Sequence, residues 1–286
     1  MEIIRGTLTP ALPEDMRTAV AIGKFDGVHV GHRKLLEVIG EKRAQGLVPC
    51  VFLLDPDPAS YFAGAQQPCL TSEAEKLRIF EELGVELAVL YPLTAETAAT
   101  PPERFIREIL GDLLHTRFVA CGTDVSYGHR GAGDAALMTR IGPSCGIEVR
   151  VVDKVRDGDH EISSTYIRER LADTPVSRVN ELLGAPYPVE GRVDLPRGGD
   201  ALGVSGCSAE EGVLLVPAGK ILPPAGEYRG IAEDAALRGS EGATVRLQIP
   251  DAPDDTERAV HWKTEDGSRS LRAATGALLI HITESI

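Results

Sequence analysis

The sequence has little positive charge. Its 286 residues include 30 Lys and Arg against 43 Asp and Glu, which gives a formal net charge of −13. A chain of this charge is not expected to bind nucleic acid or an anionic membrane surface non-specifically, because both are polyanions. A local site can still be positive, so an anionic small-molecule substrate is not excluded.

Metal-binding, disulfide and membrane patterns are also missing. The five cysteines are scattered and form no C-x-x-C pair, so neither a zinc knuckle nor a disulfide framework is expected. No apolar run reaches the roughly 18 residues that a membrane-spanning helix needs, and residues 1–17 contain no apolar segment after a basic start. The sequence therefore predicts a cytoplasmic protein.

Short apolar runs alternate with amphipathic segments over the first part of the chain. Strand candidates such as AVAIGKF and LVPCVFLL are followed by helix candidates such as HRKLLEVIGEKRAQG, which is expected to end at Gly46. Ser72-x-x-Glu75 and Thr100-Pro-Pro-Glu103 resemble capping boxes and predict two further helix starts. Repeated strand–helix–strand order predicts an α/β fold with a mainly parallel, doubly wound sheet.

The pattern changes near residue 185. The stretch APYPVEG is interpreted as a linker, and from Val189 onward the chain is rich in Gly and Pro, with short β-like segments. These segments predict a small all-β barrel. The predicted domains are residues 1–185 and 186–286, in keeping with a length above that of most single domains.

The stretch IGKFDGVHVGHRKLL places His29 and His32 between a strand candidate and a helix candidate. Ligands of open α/β sheets bind beyond the carboxyl ends of the strands, and the N-terminus of the helix, expected at about His32, favours an anion. Two imidazoles there can donate hydrogen bonds to phosphate oxygens, as phosphoryl or nucleotidyl transfer requires. The alternative is a capping histidine beside an unrelated loop histidine. Zinc is less favoured, because neither a Cys nor a third His lies at ligand spacing.

Five motifs occur in order over residues 18–187. They are IGKFDGVHVGHRKLL, LTSEAEKLRIFEELGVELAVL, TPPERFIREIL, CGTDVSYGHRGAGD and ISSTYIRERLADTPVSRVNELLGAPY. Together they resemble the motifs of the prokaryotic FAD synthetase family, whose members are usually bifunctional riboflavin kinase/FMN adenylyltransferases. The resemblance implies a Rossmann-like H-x-G-H nucleotidyltransferase domain that joins ATP and FMN into FAD and pyrophosphate, with Mg²⁺ bridging the phosphates.

The resemblance also implies roles for individual residues. His29 and His32 are expected to hold the ATP phosphates, and Arg168 is expected to neutralise charge on the leaving pyrophosphate. The expected ATP-binding residues are Gly23, Phe25, Asp26, Gly31, Ser164 and Thr165. The expected FMN-binding residues are Asp124, Ser126, Tyr127 and Gly128. The FMN phosphate attacks the α-phosphorus directly, so no protein nucleophile is expected, and no residue is assigned as a metal ligand.

Two stretches depart from the family pattern. Asp57, in DPDPASYF, stands where the family commonly has the His of Pro-His-Pro, and a carboxylate near phosphates repels them unless Mg²⁺ lies between. The kinase motif Pro-Thr-Ala-Asn is replaced by Ser205, Gly206, Cys207 and Ser208. The sequence therefore predicts an FMN adenylyltransferase without riboflavin kinase activity.

Two other functions stay open from the sequence. One is an H-x-G-H nucleotidyltransferase that acts on another phosphorylated substrate. The other is a non-catalytic flavin- or nucleotide-binding protein. ATP and FMN are the expected small-molecule partners, nucleic acid and membranes are not expected, and protein partners are unknown.

Overall fold

The computed structural model describes residues 1–7, 12–13, 15–194, 207–235, 242–251, 258–265, 271–273 and 277–286. The chain divides into two compact units. The first consists of Met1–Gln67 and Lys76–Ile162, and the second of Pro68–Glu75 and Ser163–Ile286. Within the described ranges, no helix is long and apolar enough to cross a membrane.

A six-stranded parallel sheet forms the centre of the first unit. Its strands are β1 (Glu2–Arg5), β2 (Thr18–Ile22), β3 (Val48–Asp55), β4 (Leu87–Pro92), β5 (Thr116–Gly122) and β6 (Glu148–Val152). Their spatial order is β1-β4-β3-β2-β5-β6, and every neighbouring pair is parallel. The predicted parallel α/β sheet is confirmed. A short antiparallel hairpin follows it, formed by β7 (Arg156–Asp157) and β8 (His160–Glu161).

The strand order reverses between β2 and β5. The chain proceeds from β2 through β3 to β4 on one side, whereas β5 and β6 lie on the other. The loops that follow β2 and β5 therefore leave adjacent strands in opposite directions, and such a switch point opens a crevice at the carboxyl edge of the sheet. His29 lies in the first of these loops and Asp124 in the second.

Each face of the sheet is buried in its own apolar cluster. One cluster includes Val20, Phe52, Val89 and Phe105. The other is built on small strand residues, which leave room for helices and large side chains above them; its members include Ala19, Ala21, Ala88, Ala120, Phe25, Ile39 and Phe80. All five residues of β2 are buried, so the strand that leads into the histidine loop is fixed on both sides.

The helices up to the hairpin are mostly short. They are α1 (Val30–Glu41), α2 (Pro58–Ala63), α3 (Glu73–Glu82), α4 (Ala95–Ala98), α5 (Pro102–Arg104) and α6 (Ala135–Ile141). The α1 helix passes into a 3₁₀ turn and ends at Gly46, which has a φ of 77°, as predicted. It begins at Val30 rather than at His32, because the extended backbone of His29 (φ −66°, ψ 172°) makes that residue the N-cap.

One predicted capping box is confirmed and the other is wrong. The amide of Ser72 donates to Glu75 Oε2 at 2.7 Å, and the amide of Glu75 donates to Ser72 Oγ at 3.1 Å. By contrast, the N-cap of α5 is Pro101, for which the described residues supply no side-chain cap. Residues Phe105–Leu113 then continue as a π-helix rather than an α-helix.

The second unit contains two helices and a closed antiparallel barrel. The helices are α7 (Ser164–Asp173) and α8 (Val176–Leu183). The strands are β9 (Tyr187–Asp194), β10 (Cys207–Ala209), β11 (Glu211–Val216), β12 (Gly226–Asp234), β13 (Ala243–Ile249), β14 (Arg258–Thr264), β15 (Leu271–Ala273) and β16 (Ala277–Ser285). Six of them close in the order β11-β14-β13-β12-β16-β9. The predicted small barrel is confirmed.

The stretch APYPVEG is not a linker. Its last five residues open β9, and the Tyr187 side chain is fully buried, with its hydroxyl donating to the Ile221 carbonyl at 2.6 Å. Asn180 of α8 ties that helix to the barrel, because its Nδ2 donates to the carbonyls of Ile282 and Thr283 at 3.0 and 3.1 Å. Residues 163–185 therefore group with the barrel, whereas the domain boundary at 185 remains a prediction from the sequence.

A buried ion pair fixes residues 68–75 within the second unit. Lys220 Nζ lies 2.8 Å from Glu75 Oε2, and each side chain is 1% exposed. The same ammonium donates to the Leu70 carbonyl and lies 4.4 Å from the centre of the Tyr187 ring. Glu75 Oε1 also accepts the amide of Glu190 at 2.8 Å, so every charged atom of the pair has a partner.

Replacing Lys220 should therefore destabilise the second unit strongly. Lys220→Met leaves the Glu75 carboxylate buried without its cation, which usually costs about 3–5 kcal/mol. Trp262, the only tryptophan in the sequence, is buried in β14, so its fluorescence during urea unfolding reports this unit. The matched control is Lys263→Met, because the Lys263–Glu211 pair is exposed and should contribute less than about 1 kcal/mol. Equal losses of unfolding free energy in the two variants would contradict the role of the buried pair.

Candidate active site

His29 and His32 stack on each other at the start of α1. Their ring centres are 3.7 Å apart and the planes differ by 25°. His29 is 7% exposed, and neither Nδ1 atom of the pair has a hydrogen-bond partner among the described residues. A buried polar atom without a partner costs roughly 1–3 kcal/mol. Such an arrangement is typical of a site that is completed by a ligand.

The loop before the pair has a strained backbone. Phe25 and Val28 have φ values of 52° and 39°, a region that side-chain-bearing residues seldom adopt, and Gly27 has a φ of 81°. The Val28 amide closes a turn by donating to the Phe25 carbonyl at 3.2 Å. Both Phe25 and Val28 are fully buried, so packing holds the loop in this conformation. His29 consequently lies beyond the carboxyl end of β2.

A row of aromatic rings, formed by Phe80 and Phe25, packs against the histidine pair. Phe80 of α3 meets Phe25 edge-on at 5.2 Å, and Phe25 in turn lies 5.0 Å from His32. Gly23 allows Phe25 to take this place, since a Cβ at Gly23 would lie 3.2 Å from the Phe25 ring. The row fixes the plane of His32, and through the stack it fixes that of His29.

Both imidazoles are neutral at pH 7. Burial lowers the pKa of His29 to about 4, and the carboxylate of Asp124 partly opposes this shift. Burial also lowers the pKa of His32 well below its usual value; His29, when protonated, and the Lys76 ammonium act in the same direction. A neutral imidazole keeps one N–H donor, and an anion bound at the pair would raise both pKa values.

The loop after β5 contains the predicted FMN-binding residues. Asp124 and Ser126 are exposed, with Ser126 Oγ donating to the Gly131 carbonyl at 3.2 Å. Tyr127 is buried, and its hydroxyl donates to the Asp134 carbonyl at 3.2 Å. Gly128 has a φ of 73°, and a Cβ there would lie 2.7 Å from Pro102. The structure thus gives Tyr127 and Gly128 a part in shaping the loop.

A lysine that the sequence analysis did not single out lies beside Asp124. Lys154 Nζ is 3.2 Å from Asp124 Oδ2 and 2.8 Å from Glu161 Oε2. Gly122 leaves room for the carboxylate, because a Cβ there would lie 3.0 Å from Asp124 Oδ1. Lys154 lies two residues after the end of β6. Its position just beyond a strand was the only feature of the sequence that could have identified it as a site residue.

The remaining predicted ATP-binding residues belong to the second unit. Ser163 caps α7 by accepting the Tyr166 amide at 3.2 Å, so Ser164 and Thr165 lie in the first turn of the helix. Arg168 follows one turn later, and its Nη2 donates to the Pro68 carbonyl at 3.1 Å. The structure thus places these three residues in the first two turns of α7, and their role in phosphate binding stays a prediction.

Asp57 is the N-cap of α2. Its Oδ1 accepts the amides of Ala59 and Ser60 at 3.0 and 3.3 Å, and its Oδ2 accepts the Ser60 hydroxyl at 2.5 Å. The negative charge is therefore partly offset by the helix start. Whether this carboxylate repels phosphates stays a prediction. Of the kinase-motif substitutions, Ser205 and Gly206 lie outside the described residues, as do the side chains of Cys207 and Ser208.

The comparisons with known proteins identify the family to which this region belongs. The family model for FAD synthetase matches residues 12–166, which include the histidine pair and the loop after β5. The chain belongs to the FAD synthetase family.

Curated relatives cover the same region. The chain is 35% identical over 195 residues to a bifunctional riboflavin kinase/FMN adenylyltransferase of Escherichia coli K12, an alignment that covers 68% of this chain and 62% of that protein. A protein of the same name from Listeria monocytogenes is 31% identical over 185 residues, or 63% of this chain and 57% of that protein. The matched region thus spans less than two thirds of these relatives.

A solved structure shares the fold. It is titled a macrolide-efflux protein from Streptococcus pneumoniae, and it matches with a TM-score of 0.78 and 21% identity, covering 100% of this chain and 91% of that one. At this identity the likeness concerns the fold alone.

Substitution of Gly31 tests the geometry of the histidine pair. A Cβ on Gly31 would lie 3.1 Å from His29 Cε1 and 3.2 Å from its Nδ1, whereas within the described structure a Cβ on Gly40 of the same helix meets nothing within 4 Å. Gly40→Ala should stabilise the chain by about 0.5–1 kcal/mol through helix propensity. Gly31→Ala should stabilise it less and shift the imidazole NMR signals of His29 and His32. Unchanged imidazole signals in Gly31→Ala would show that the contact does not constrain His29.

Proposed function

We propose that this chain is an FMN adenylyltransferase, which transfers AMP from ATP to FMN and releases FAD and pyrophosphate. The observation that carries the proposal is the buried stack of His29 and His32, whose Nδ1 atoms have no hydrogen-bond partner among the described residues. The stack lies at the N-terminus of α1, beside the switch point of a parallel sheet. Family membership and the names of the relatives support the same activity.

The phosphates of ATP are proposed to bind at the histidine pair. The first-turn amides of α1 and the imidazole N–H groups donate to phosphate oxygens, and the helix end carries a partial positive charge of roughly half a unit. Gly31 keeps the approach to these amides open. Gly23, Phe25 and Asp26 form the loop that holds the pair in place.

The FMN phosphate is proposed to attack the α-phosphorus of ATP. One of its oxygens forms the new P–O bond while the bond between the α-phosphorus and the bridging oxygen of the leaving pyrophosphate breaks. The protein supplies positioning and charge stabilisation rather than a nucleophile. Asp124 and Ser126 are proposed to contact FMN, and Tyr127 and Gly128 to hold the loop in shape for it.

Ser164, Thr165 and Arg168, at the start of α7, are also proposed to bind phosphate groups. Ser164 and Thr165 offer hydroxyl and amide donors in the first turn of α7, and Arg168 offers a guanidinium for the charge that develops on pyrophosphate. ATP is expected to arrive as its Mg²⁺ complex, because Mg²⁺ usually binds through phosphate oxygens and retained waters with few protein ligands. Within the described ranges, no group of three or more His, Cys, Asp or Glu side chains is suited to a metal ion.

We further propose that the barrel lacks riboflavin kinase activity, so that FMN comes from another protein. The support is in the sequence, where Ser205, Gly206, Cys207 and Ser208 replace Pro-Thr-Ala-Asn. A cytoplasmic setting suits both substrates. It also suits the thiols of Cys50, Cys69, Cys121 and Cys145, which are free in the described structure.

FAD formation tests the first proposal. Purified protein with FMN, ATP and Mg²⁺ should yield FAD and pyrophosphate, detected by chromatography. His29→Ala should lower kcat by at least about 100-fold, because one preorganised donor at a developing charge is commonly worth that much. His261→Ala is the matched control, since His261 is an exposed residue of β14. If wild type binds FMN and ATP but forms no FAD, the chain is a binding protein instead. FAD formation unaffected by His29→Ala would remove the histidine pair from the mechanism.

Riboflavin tests the second proposal. With riboflavin, ATP and Mg²⁺ as the only substrates, the same protein should form neither FMN nor FAD. Adding a separate riboflavin kinase to the mixture should restore FAD formation, which shows that the adenylyltransferase was competent throughout. Formation of FMN by the protein alone would refute the proposed loss of kinase activity.

A further inference from the structure

Lys154 joins two carboxylates at the edge of the sheet where ligands are expected. Its ammonium lies 3.2 Å from Asp124 Oδ2, in the loop after β5, and 2.8 Å from Glu161 Oε2, in the hairpin strand β8. The Lys154 side chain is only 29% exposed, whereas that of Asp124 is 69% exposed. The Lys154 side chain is thus mostly buried, whereas the Asp124 carboxylate is exposed to solvent.

The sheet register fixes the place of this ion pair. Gly122 and Val152 are paired at the carboxyl ends of β5 and β6, and Asp124 and Lys154 each follow two residues later. The β5 strand is also the neighbour of β2, which leads to the histidine loop. The pair therefore lies at the carboxyl edge, beside the crevice of the switch point.

Asp124 acts electrostatically on the histidine pair. Its negative charge opposes the lowering of the His29 pKa, so its field reaches the imidazole where phosphates are proposed to bind. The same negative charge repels an anion that approaches His29. Because the chain carries a net charge of −13, the background field adds to this repulsion, and a local cation is needed to offset it.

We propose that Lys154 is a positioning residue of the substrate site: it holds the Asp124 carboxylate beside β5 and offsets its charge, so that phosphorylated flavin can bind near the histidine pair. This inference rests on the proposed function, because it takes FMN as the ligand. Lys154 acts through Asp124 and needs no contact with FMN.

The test compares FMN affinity at two ionic strengths. Binding is measured by quenching of FMN fluorescence, with no ATP present. At 0.05 M salt, Lys154→Gln should weaken FMN binding about fivefold, an effect that corresponds to a favourable exposed ion pair. At 0.5 M salt the difference from wild type should fall below about twofold, because screening removes the repulsion from Asp124. Lys154→Arg should restore affinity to within about twofold. A loss of affinity that persists at high salt would indicate a packing role and overturn the proposal.

Lys42 provides the matched control. It pairs with Glu148 at 3.1 Å, at the amino end of β6 rather than beyond its carboxyl end. Lys42→Gln likewise removes one positive charge, from the 3₁₀ turn after α1, so it should leave FMN affinity unchanged. An equal loss of affinity in both variants would mean that only net charge matters, which would also overturn the proposal.

An Asp124→Asn background separates action through Asp124 from direct contact with FMN. If Lys154 acts through Asp124, adding Lys154→Gln to Asp124→Asn should change FMN affinity less than twofold. A fivefold loss in both backgrounds would show that Lys154 acts without Asp124 and would refute the inference. Failure of the proposed function is distinguished by FAD formation in wild type: a wild type that forms FAD while Lys154→Gln binds FMN normally refutes this inference alone.

Discussion

A buried stack of two neutral imidazoles is the constraint on which the first unit depends. His29 and His32 lie 3.7 Å apart with their Nδ1 atoms unpaired within the described structure. Leaving two buried nitrogen atoms without a hydrogen-bond partner is unfavourable, so the surrounding fold must provide the stability that the stack lacks. The fully buried β2 strand and the packed Phe25 and Val28 side chains supply it. The strain and the unpaired atoms coincide at one loop, as expected where a ligand completes the hydrogen bonds.

The electrostatics of the molecule favour anion binding only over short distances. A net charge of −13 repels a nucleotide at long range. Under the proposed function, attraction comes from contacts that act after encounter. These are the N–H groups at the start of α1, imidazoles that gain basicity as an anion approaches, and a cation that neutralises Asp124. Salt screens the long-range repulsion and the field of the exposed Asp124 carboxylate more than the hydrogen bonds at the buried imidazole nitrogens. Under the proposed function, specificity for a phosphorylated ligand therefore depends on local geometry despite the overall charge.

The sequence predicted the parts of the site that are local in the chain. The histidine pair, the Ser72–Glu75 capping box and the helix end at Gly46 each depend on residues within a few positions of one another. The contacts that the sequence did not predict join segments that are distant in the chain. Phe80 of α3 contacts Phe25, and Lys154, which follows β6, contacts Asp124, which follows the neighbouring strand β5. No periodicity encodes such pairs, since they arise from the sheet order. Local rules also failed at Pro101, where two prolines left Thr100 outside the helix.

The structure gives Asp57 a role that the sequence alone did not suggest. From sequence alone its carboxylate stands where the family commonly carries a histidine, and repulsion of phosphates was the expected effect. In the structure both carboxylate oxygens accept hydrogen bonds from the start of α2. Charge engaged in this way is less available to repel an anion, so the departure from the family pattern is compatible with a working adenylyltransferase.

The barrel illustrates the same separation of folding from chemistry. Its closure depends on backbone pairing and on the buried contacts of Glu75, Lys220 and Tyr187. None of these groups belongs to the stretch in which the kinase motif is replaced. A barrel whose stability derives from other residues can keep its fold when that motif is lost. The proposed absence of kinase activity therefore requires no disruption of the second unit, and a folded barrel is by itself no sign of a kinase.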